Sequence, residues 1–235
     1  MPRTAALVPA AGRGDRLGPG GPKALRPLGG IPMLVHAVRA LAGSRSIDLV
    51  VIAAPEDTAD HVAELLAEHA FGAEVAVVTG GDTRQDSVAR ALLALPADID
   101  VVLVHDAARP LVPEELVAAV VSSVRAGNPA VVPGLPVVDT IKGVDTESVV
   151  TSTVDRTQLR AIQTPQGFER SVLQRAHAAV NLDEAPATDD AGLAERIGVP
   201  VLVIPGHEEA FKVTRPFDVV MAEAVLARRR AAGNV

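Results

Sequence analysis

The segment Leu7-Val-Pro-Ala-Ala-Gly-Arg-Gly-Asp-Arg-Leu-Gly-Pro-Gly-Gly-Pro-Lys23 concentrates residue types that handle an anion. A short apolar run, Ala5 to Val8, feeds a loop with five glycines, two arginines and a terminal lysine. Glycine lets backbone N–H groups turn toward a charged oxygen with no Cβ in the way. Arg16 and Lys23 can then neutralise charge that the amides only partly balance. Phosphate handling is the chemistry this loop implies. It is not a P-loop, because Lys23 follows Pro22 and precedes Ala24, and the chain has no Gly-Lys pair. It is not a dinucleotide fingerprint either, because Leu17 stands where the third glycine belongs.

Six further clusters could serve the same chemistry. Gly80-Gly81-Asp82-Thr83-Arg84-Gln85-Asp86-Ser87-Val88 presents free N–H groups and the Ser87 hydroxyl to a ligand, or is a helix capped by Asp82 or Thr83. Val104-His105-Asp106-Ala107-Ala108-Arg109-Pro110 ends an apolar run with charge. There Asp106 suits a divalent ion or a sugar hydroxyl and Arg109 a phosphate, unless the two simply bond to each other. Thr188-Asp189-Asp190-Ala191 reads best as a helix start, with Asp189 capping a helix from Ala191. In Ala210-Phe211-Lys212-Val213-Thr214 a lysine sits inside an apolar run, which is costly unless it is paired or faces a site. Asp155-Arg156 and Gln163-Thr164-Pro165-Gln166 have the polar character of loops near a site. No Ser/His/Asp or paired-carboxylate arrangement stands out. A set of cations fits phosphoryl or nucleotidyl transfer, in which positioning and charge neutralisation dominate.

These residues need a scaffold, and the hydropathy pattern supplies one. β-rich apolar runs occur at Ala5–Val8, Leu49–Ala53, Glu74–Thr79, Val101–His105, Ala130–Leu135 and Val201–Ile204. Helical patterns lie between them at Pro32–Ala42, Thr58–His69, Arg84–Leu95 and Pro113–Arg125, with Pro32 and Pro113 placed for a first turn. Val117, Val120, Val121 and Val124 recur at helical spacing. Continuous apolar strands separated by helices imply an α/β fold: a mostly parallel twisted sheet covered on both faces. Ligands then sit beyond the carboxyl ends of the strands. Val137–Val154 breaks the alternation and reads as a hairpin arm with a polar tip at Gly143–Glu147. The basic run Arg228–Arg230 reads as a solvated helix end.

Composition narrows the class. With 235 residues and 48% hydrophobic content, one domain over 1–235 is expected, with 137–157 as its arm. Aromatics are only 2%, so aliphatic packing must fill the interior. Cysteine is absent, which removes disulfides and thiolate sites and makes the cytoplasm the expected location. A net charge of −7 argues against nucleic acid as a partner, and no apolar run approaches the ~20 residues of a membrane span.

Together the motifs resemble those of the 2-C-methyl-D-erythritol 4-phosphate cytidylyltransferase family, from about Ala5 to Leu226. The first loop alone points only to the nucleotidyltransferase superfamily. Gly-Gly-x-x-Arg-x-x-Ser-Val, His-Asp-Ala-Ala-Arg-Pro, Asp-Thr-Ile-Lys, Gln-Thr-Pro-Gln-x-Phe, Thr-Asp-Asp-Ala and Phe-Lys-Val-Thr, all in the family's order, are far more specific. The resemblance implies a Rossmann-like nucleotidyltransferase fold and transfer of CMP from CTP to the polyol phosphate, with ribitol 5-phosphate or a related polyol phosphate as the alternative acceptor. It implies that Pro9, Ala10, Ala11, Gly12 and Gly14 hold the nucleotide through main-chain groups. Gly80, Asp82, Ser87 and Asp106 help recognise cytosine and ribose. Arg16 and Lys23 grip the triphosphate, with Mg²⁺ or another divalent cation bridging its oxygens and Asp106 a candidate metal ligand. Asp106 also orients the acceptor's hydroxyls, and Arg109, Thr164 and Lys212 lie near its phosphate. Arg16, Lys23 and Lys212 are the implied catalytic cations. Thr140 and Arg156 ride on the arm, which in this family crosses to the other subunit of a homodimer. Ala24 departs from the glutamine that many relatives carry after the loop lysine.

Overall fold

The computed structural model describes residues 3–10, 22–180 and 187–233. Its centre is an eight-stranded sheet. Strands β1 (Arg3–Pro9), β4 (Leu49–Ala54), β5 (Glu74–Thr79) and β6 (Ile99–Val104) lie parallel in the order β6-β1-β4-β5. Beyond β6 comes β11 (Gln166–Glu169), antiparallel both to β6 and to the start of β7 (Ala130–Pro136). β10 (Arg160–Ile162) runs antiparallel along the end of β7, and β12 (Val201–Pro205) runs parallel to it.

Burial explains the strands. All six residues of β4 and the middle five of β1 are buried, because each pleat alternates between two covered faces. Ala6 and Val8 of β1 join Val50 and Ile52 on the face covered by α1 (Met33–Gly43), α2 (Ala59–Ala67) and α4 (Glu114–Arg125). Ala5 and Leu7 join Val51 and Ala53 on the other, under α3 (Arg84–Leu93), α5 (Arg170–Ala178) and α6 (Asp190–Arg196). The valine stripe of α4 lies in the first of these layers, as its spacing predicts. A third cluster joins Leu28 and Met33 to Val213 and to Ala222 and Leu226 of α7 (Pro216–Ala231). Leu28 belongs to a two-stranded ribbon of β2 (Pro27–Leu28) and β3 (Ile31–Pro32).

Several sequence expectations shift. Pro32 and Pro113 stand one residue before their helices, as caps with extended ψ, not within the first turn. The arm's strands are β8 (Ile141–Val144) and β9 (Val150–Val154), so the turn spans 145–149 and Gly143 pairs with Ser152 inside the ribbon. Asp145 sets that turn: one carboxylate oxygen accepts from the N–H groups of Glu147 and Val149, at 3.0 and 2.9 Å. Arg228 and Arg229 are not merely solvated, because both pair with Glu209, and Arg229 also donates to the Leu111 carbonyl at 2.8 Å. They tie the end of α7 to the turn that precedes Lys212.

Candidate active site at the carboxyl ends of the sheet

Three strand ends build the site. Leaving β1, Ala10 is buried and its N–H donates to the Ala53 carbonyl at 2.8 Å, which fixes where the glycine loop departs. Leaving β5, the Gly80 N–H donates to the Ala54 carbonyl at 2.7 Å. A Cβ on Gly80 would meet the Ser87 hydroxyl at 2.9 Å, and one on Gly81 would meet Asp86 at 2.3 Å. Only glycine lets this turn fold flat against α3. Thr83 caps that helix in a capping box with Asp86. The Ser87 hydroxyl, expected to face a ligand, is instead fully buried: it donates to the Thr83 carbonyl at 2.9 Å and accepts from the Gly81 N–H at 3.1 Å. Ser87 shapes the turn, whereas Asp82 stands exposed at its rim.

Leaving β6, Asp106 becomes the hub. Its two oxygens take separate cations, Arg84 Nε at 3.2 Å and Lys212 Nζ at 2.7 Å. Burial alone would raise the Asp106 carboxyl. The charges of Arg84, Lys212 and Arg109 more than offset it and hold the group well below the usual carboxylate range. Asp106 therefore does not bond back to the Arg109 side chain, which acts on it only through its charge. The Arg109 guanidinium donates to the carbonyls of Ala210 at 2.7 Å and Ile162 at 3.3 Å, and its buried Nε has no partner among the described residues.

Beneath the hub lies a fully used histidine. The Asp106 N–H donates to the Thr164 hydroxyl at 3.0 Å, and that hydroxyl donates to His105 Nδ1 at 3.1 Å. His105 Nε2–H donates to the Arg109 carbonyl at 3.1 Å, which fixes the neutral tautomer because a carbonyl only accepts. Complete burial lowers the His105 pKa to about 4. Gln163, next to Thr164, pins the backbone of His207 with both ends of its amide, at 2.9 and 3.0 Å. This holds the approach to Lys212.

The structure thus gathers Asp106, Arg109, Thr164 and Lys212, with the Gly80–Ser87 turn joined to them through Arg84. Lys23 opens a one-turn helix, Lys23–Leu25, whose Ala24 sits in the core. Thr140 and Arg156 stay on the exposed arm, where Arg156 donates to the Val138 carbonyl. Ala11, Gly12, Gly14 and Arg16 lie outside the described residues. Sequence reasoning assigned no role to Arg84, Asp190 or His177. Arg84 bridges Asp106 and the buried Asp190, whose other oxygen accepts from His177 Nε2 at 3.0 Å. Asp189 caps α6 as expected, through the Gly192 N–H at 2.9 Å, and the helix begins at Asp190, one residue early.

Comparison with known proteins agrees with this geometry. The sequence model of the 2-C-methyl-D-erythritol 4-phosphate cytidylyltransferase family matches residues 4–228. A protein of that name from Streptomyces coelicolor is 58% identical over 236 residues, covering 97% of this chain and 86% of its own. The crystal structure of the Thermus thermophilus cytidylyltransferase superposes with a TM-score of 0.77 at 39% identity, covering 96% of this chain and 99% of the other. That of the 4-diphosphocytidyl-2C-methyl-D-erythritol synthase from Anaerococcus prevotii gives 0.83 at 28% identity, over 96% and 99%. A cation-lined strand end, reached through motifs in the family's order and matched along nearly the whole length, places the chain in the 2-C-methyl-D-erythritol 4-phosphate cytidylyltransferase family.

Proposed function

We infer that the chain transfers CMP from CTP to 2-C-methyl-D-erythritol 4-phosphate, giving 4-diphosphocytidyl-2-C-methyl-D-erythritol and pyrophosphate. The observation that carries this reading is Lys212 held 2.7 Å from Asp106, beside Arg109, at the carboxyl end of β6. An oxygen of the acceptor phosphate forms a new bond to the α-phosphorus of CTP. The bond to the bridging oxygen breaks, and its electron pair leaves with pyrophosphate. Two anions must meet, so the barrier is partly electrostatic and preorganised cations lower it. No general base is needed, because a phosphate monoester is already largely ionised at pH 7.

Arg16 and Lys23 grip the triphosphate. Pro9, Ala10, Ala11, Gly12 and Gly14 line its loop, and Gly80 and Asp82 face the nucleoside, with Ser87 acting through the turn it braces. Lys212, Arg109 and Thr164 serve the acceptor's phosphate, while Asp106 orients its hydroxyls and steadies Lys212. Among the described residues no group of three or more His, Asp or Glu side chains could hold a metal ion. Asp106, whose oxygens already hold Arg84 and Lys212, is the one carboxylate that would stand beside a Mg²⁺ brought in with the triphosphate, and that ion would neutralise phosphate charge. The described residues contain no helix long and apolar enough to cross a membrane, and the working location is the cytoplasm.

The arm, 137–157, reaches a second copy of the chain in a homodimer and delivers Thr140 and Arg156 to the partner's site. Its support is exposure: Val138, Val144, Val149 and Val150 are each more than half exposed on or beside a two-stranded ribbon that is marginal alone. Pyrophosphate release from CTP, Mg²⁺ and each acceptor tests the activity, and turnover of ribitol 5-phosphate equal to that of methylerythritol phosphate would overturn the acceptor assignment. Mixing inactive R156A and K23A proteins should restore activity, because one site of the heterodimer keeps both residues. No recovery after verified subunit exchange sinks the shared site.

A further inference from the structure

A chain of polar side chains runs from the interior to the site. His177, its side chain only 6% exposed, donates to Asp190, which is 1% exposed. Asp190 accepts from Arg84 Nη1 at 2.7 Å, and Arg84 Nε reaches Asp106 at the longer 3.2 Å. Asp106 then holds Lys212. We propose that Asp190 is a positioning residue for the transfer reaction: it takes one prong of the Arg84 fork so that Asp106 keeps an oxygen for Lys212.

The geometry of arginine supports this. A guanidinium beside a lone carboxylate prefers to bond side-on, with Nε and one Nη on the two oxygens. Arg84 does not do so here: Asp190 takes Nη1 in the shorter of the two contacts, and Nη2 makes no bond to Asp106. Asp106 is left with a single bond from Arg84, and its second oxygen faces Lys212. Without a charge at position 190, Arg84 is drawn wholly onto Asp106 and displaces the lysine. Asp190 is too buried to touch a ligand. It is also not needed to cap its own helix, since Asp189 does that. Asp189 is held separately by the Gln166 amide at 2.7 Å, and Gln166 also accepts from the Ala191 N–H. The start of α6 therefore has anchors that do not involve Arg84.

The inference rests on the role given to Lys212 above. Its test is D190N, with R84Q and the double variant. Expected are a kcat lower by roughly tenfold or more, a KM for CTP within about threefold of wild type, partial recovery in D190E, and no further loss when D190N is added to R84Q. The crystal structure of D190N should show Arg84 on both Asp106 oxygens and Lys212 beyond hydrogen-bond distance. A D190N kcat within about threefold of wild type, losses that multiply in the double variant, or an unmoved Lys212 each overturn the proposal. If wild type itself releases no pyrophosphate, the activity reading fails alone and the crystal structure still decides. If D190N does not fold, R84Q decides: with no guanidinium to compete for Asp106, its crystal structure should still show Lys212 within hydrogen-bond distance of Asp106, and a displaced Lys212 refutes the idea.

Discussion

The sheet-end cluster and the arm carry functional candidates in opposite ways. Around Asp106 the chain holds its groups from several elements: Thr164 is 5% exposed, His105 is fully buried, and contacts converge from β6, α3 and the 206–213 segment. On the arm, Thr140, Arg156 and every residue of β9 are exposed, and among the described residues β8 and β9 pair only with each other. The cluster is preorganised by its own chain. The arm's side chains gain fixed positions only from something outside it.

The largest effect should come from removing a cation. K212A and K23A should each lower activity several hundredfold, about 3–4 kcal/mol of transition-state stabilisation, with melting temperatures unchanged. Near-wild-type turnover from either would remove that lysine from the site and blur the contrast with the arm.

Next comes His105, which tests how dry the cluster is. Its folded pKa of about 4 lies below the unfolded value near 6.5, so the unfolded chain takes up the extra proton on acidification. The stability contributed is full above pH 6.5 and is lost as the pH falls through 6.5 toward 4, by up to ~3 kcal/mol. Chemical denaturation between pH 7.5 and 4 should show this fall, and H105Q should flatten it. An equal slope in H105Q would mean that the histidine is hydrated.

The smallest effect is expected on the arm. V150S should change the unfolding free energy of the monomer by no more than ~0.5 kcal/mol, because the side chain is 55% exposed. It should nonetheless weaken self-association in sedimentation. A large loss of monomer stability would show the arm packed on its own domain.

Much of this contrast can be read from the residues in order. β1, β4, β6 and β7 announce themselves as unbroken apolar runs because both faces are covered, and α4 shows its stripe. β10 and β11 do not. They have three and four residues, and Gln166-Gly167-Phe168-Glu169 looks like loop although all but Glu169 are buried. α5 escapes notice because it buries only three residues, and of α7, which buries two, only the basic end at Arg228–Arg230 shows as a helix. Asp106 and Lys212 were legible because a charge inside an apolar run needs a partner. Asp190 was hidden behind Asp189, whose capping role explains an Asp-Asp pair without further cause. The links that give it meaning join Arg84 to residues 22 and 106 positions away, and no local pattern encodes them.

Ile162 sits where the arm returns to the sheet, pairing with Gly134, and its carbonyl receives Arg109 at 3.3 Å. Two residues later the same strand of chain supplies the Thr164 hydroxyl. A pull on the arm by a neighbouring molecule would therefore arrive first at Arg109 and Thr164, the groups proposed to meet the incoming phosphate. In the proposed dimer, subunit contact and turnover would share a mooring, and loosening one would slacken the other.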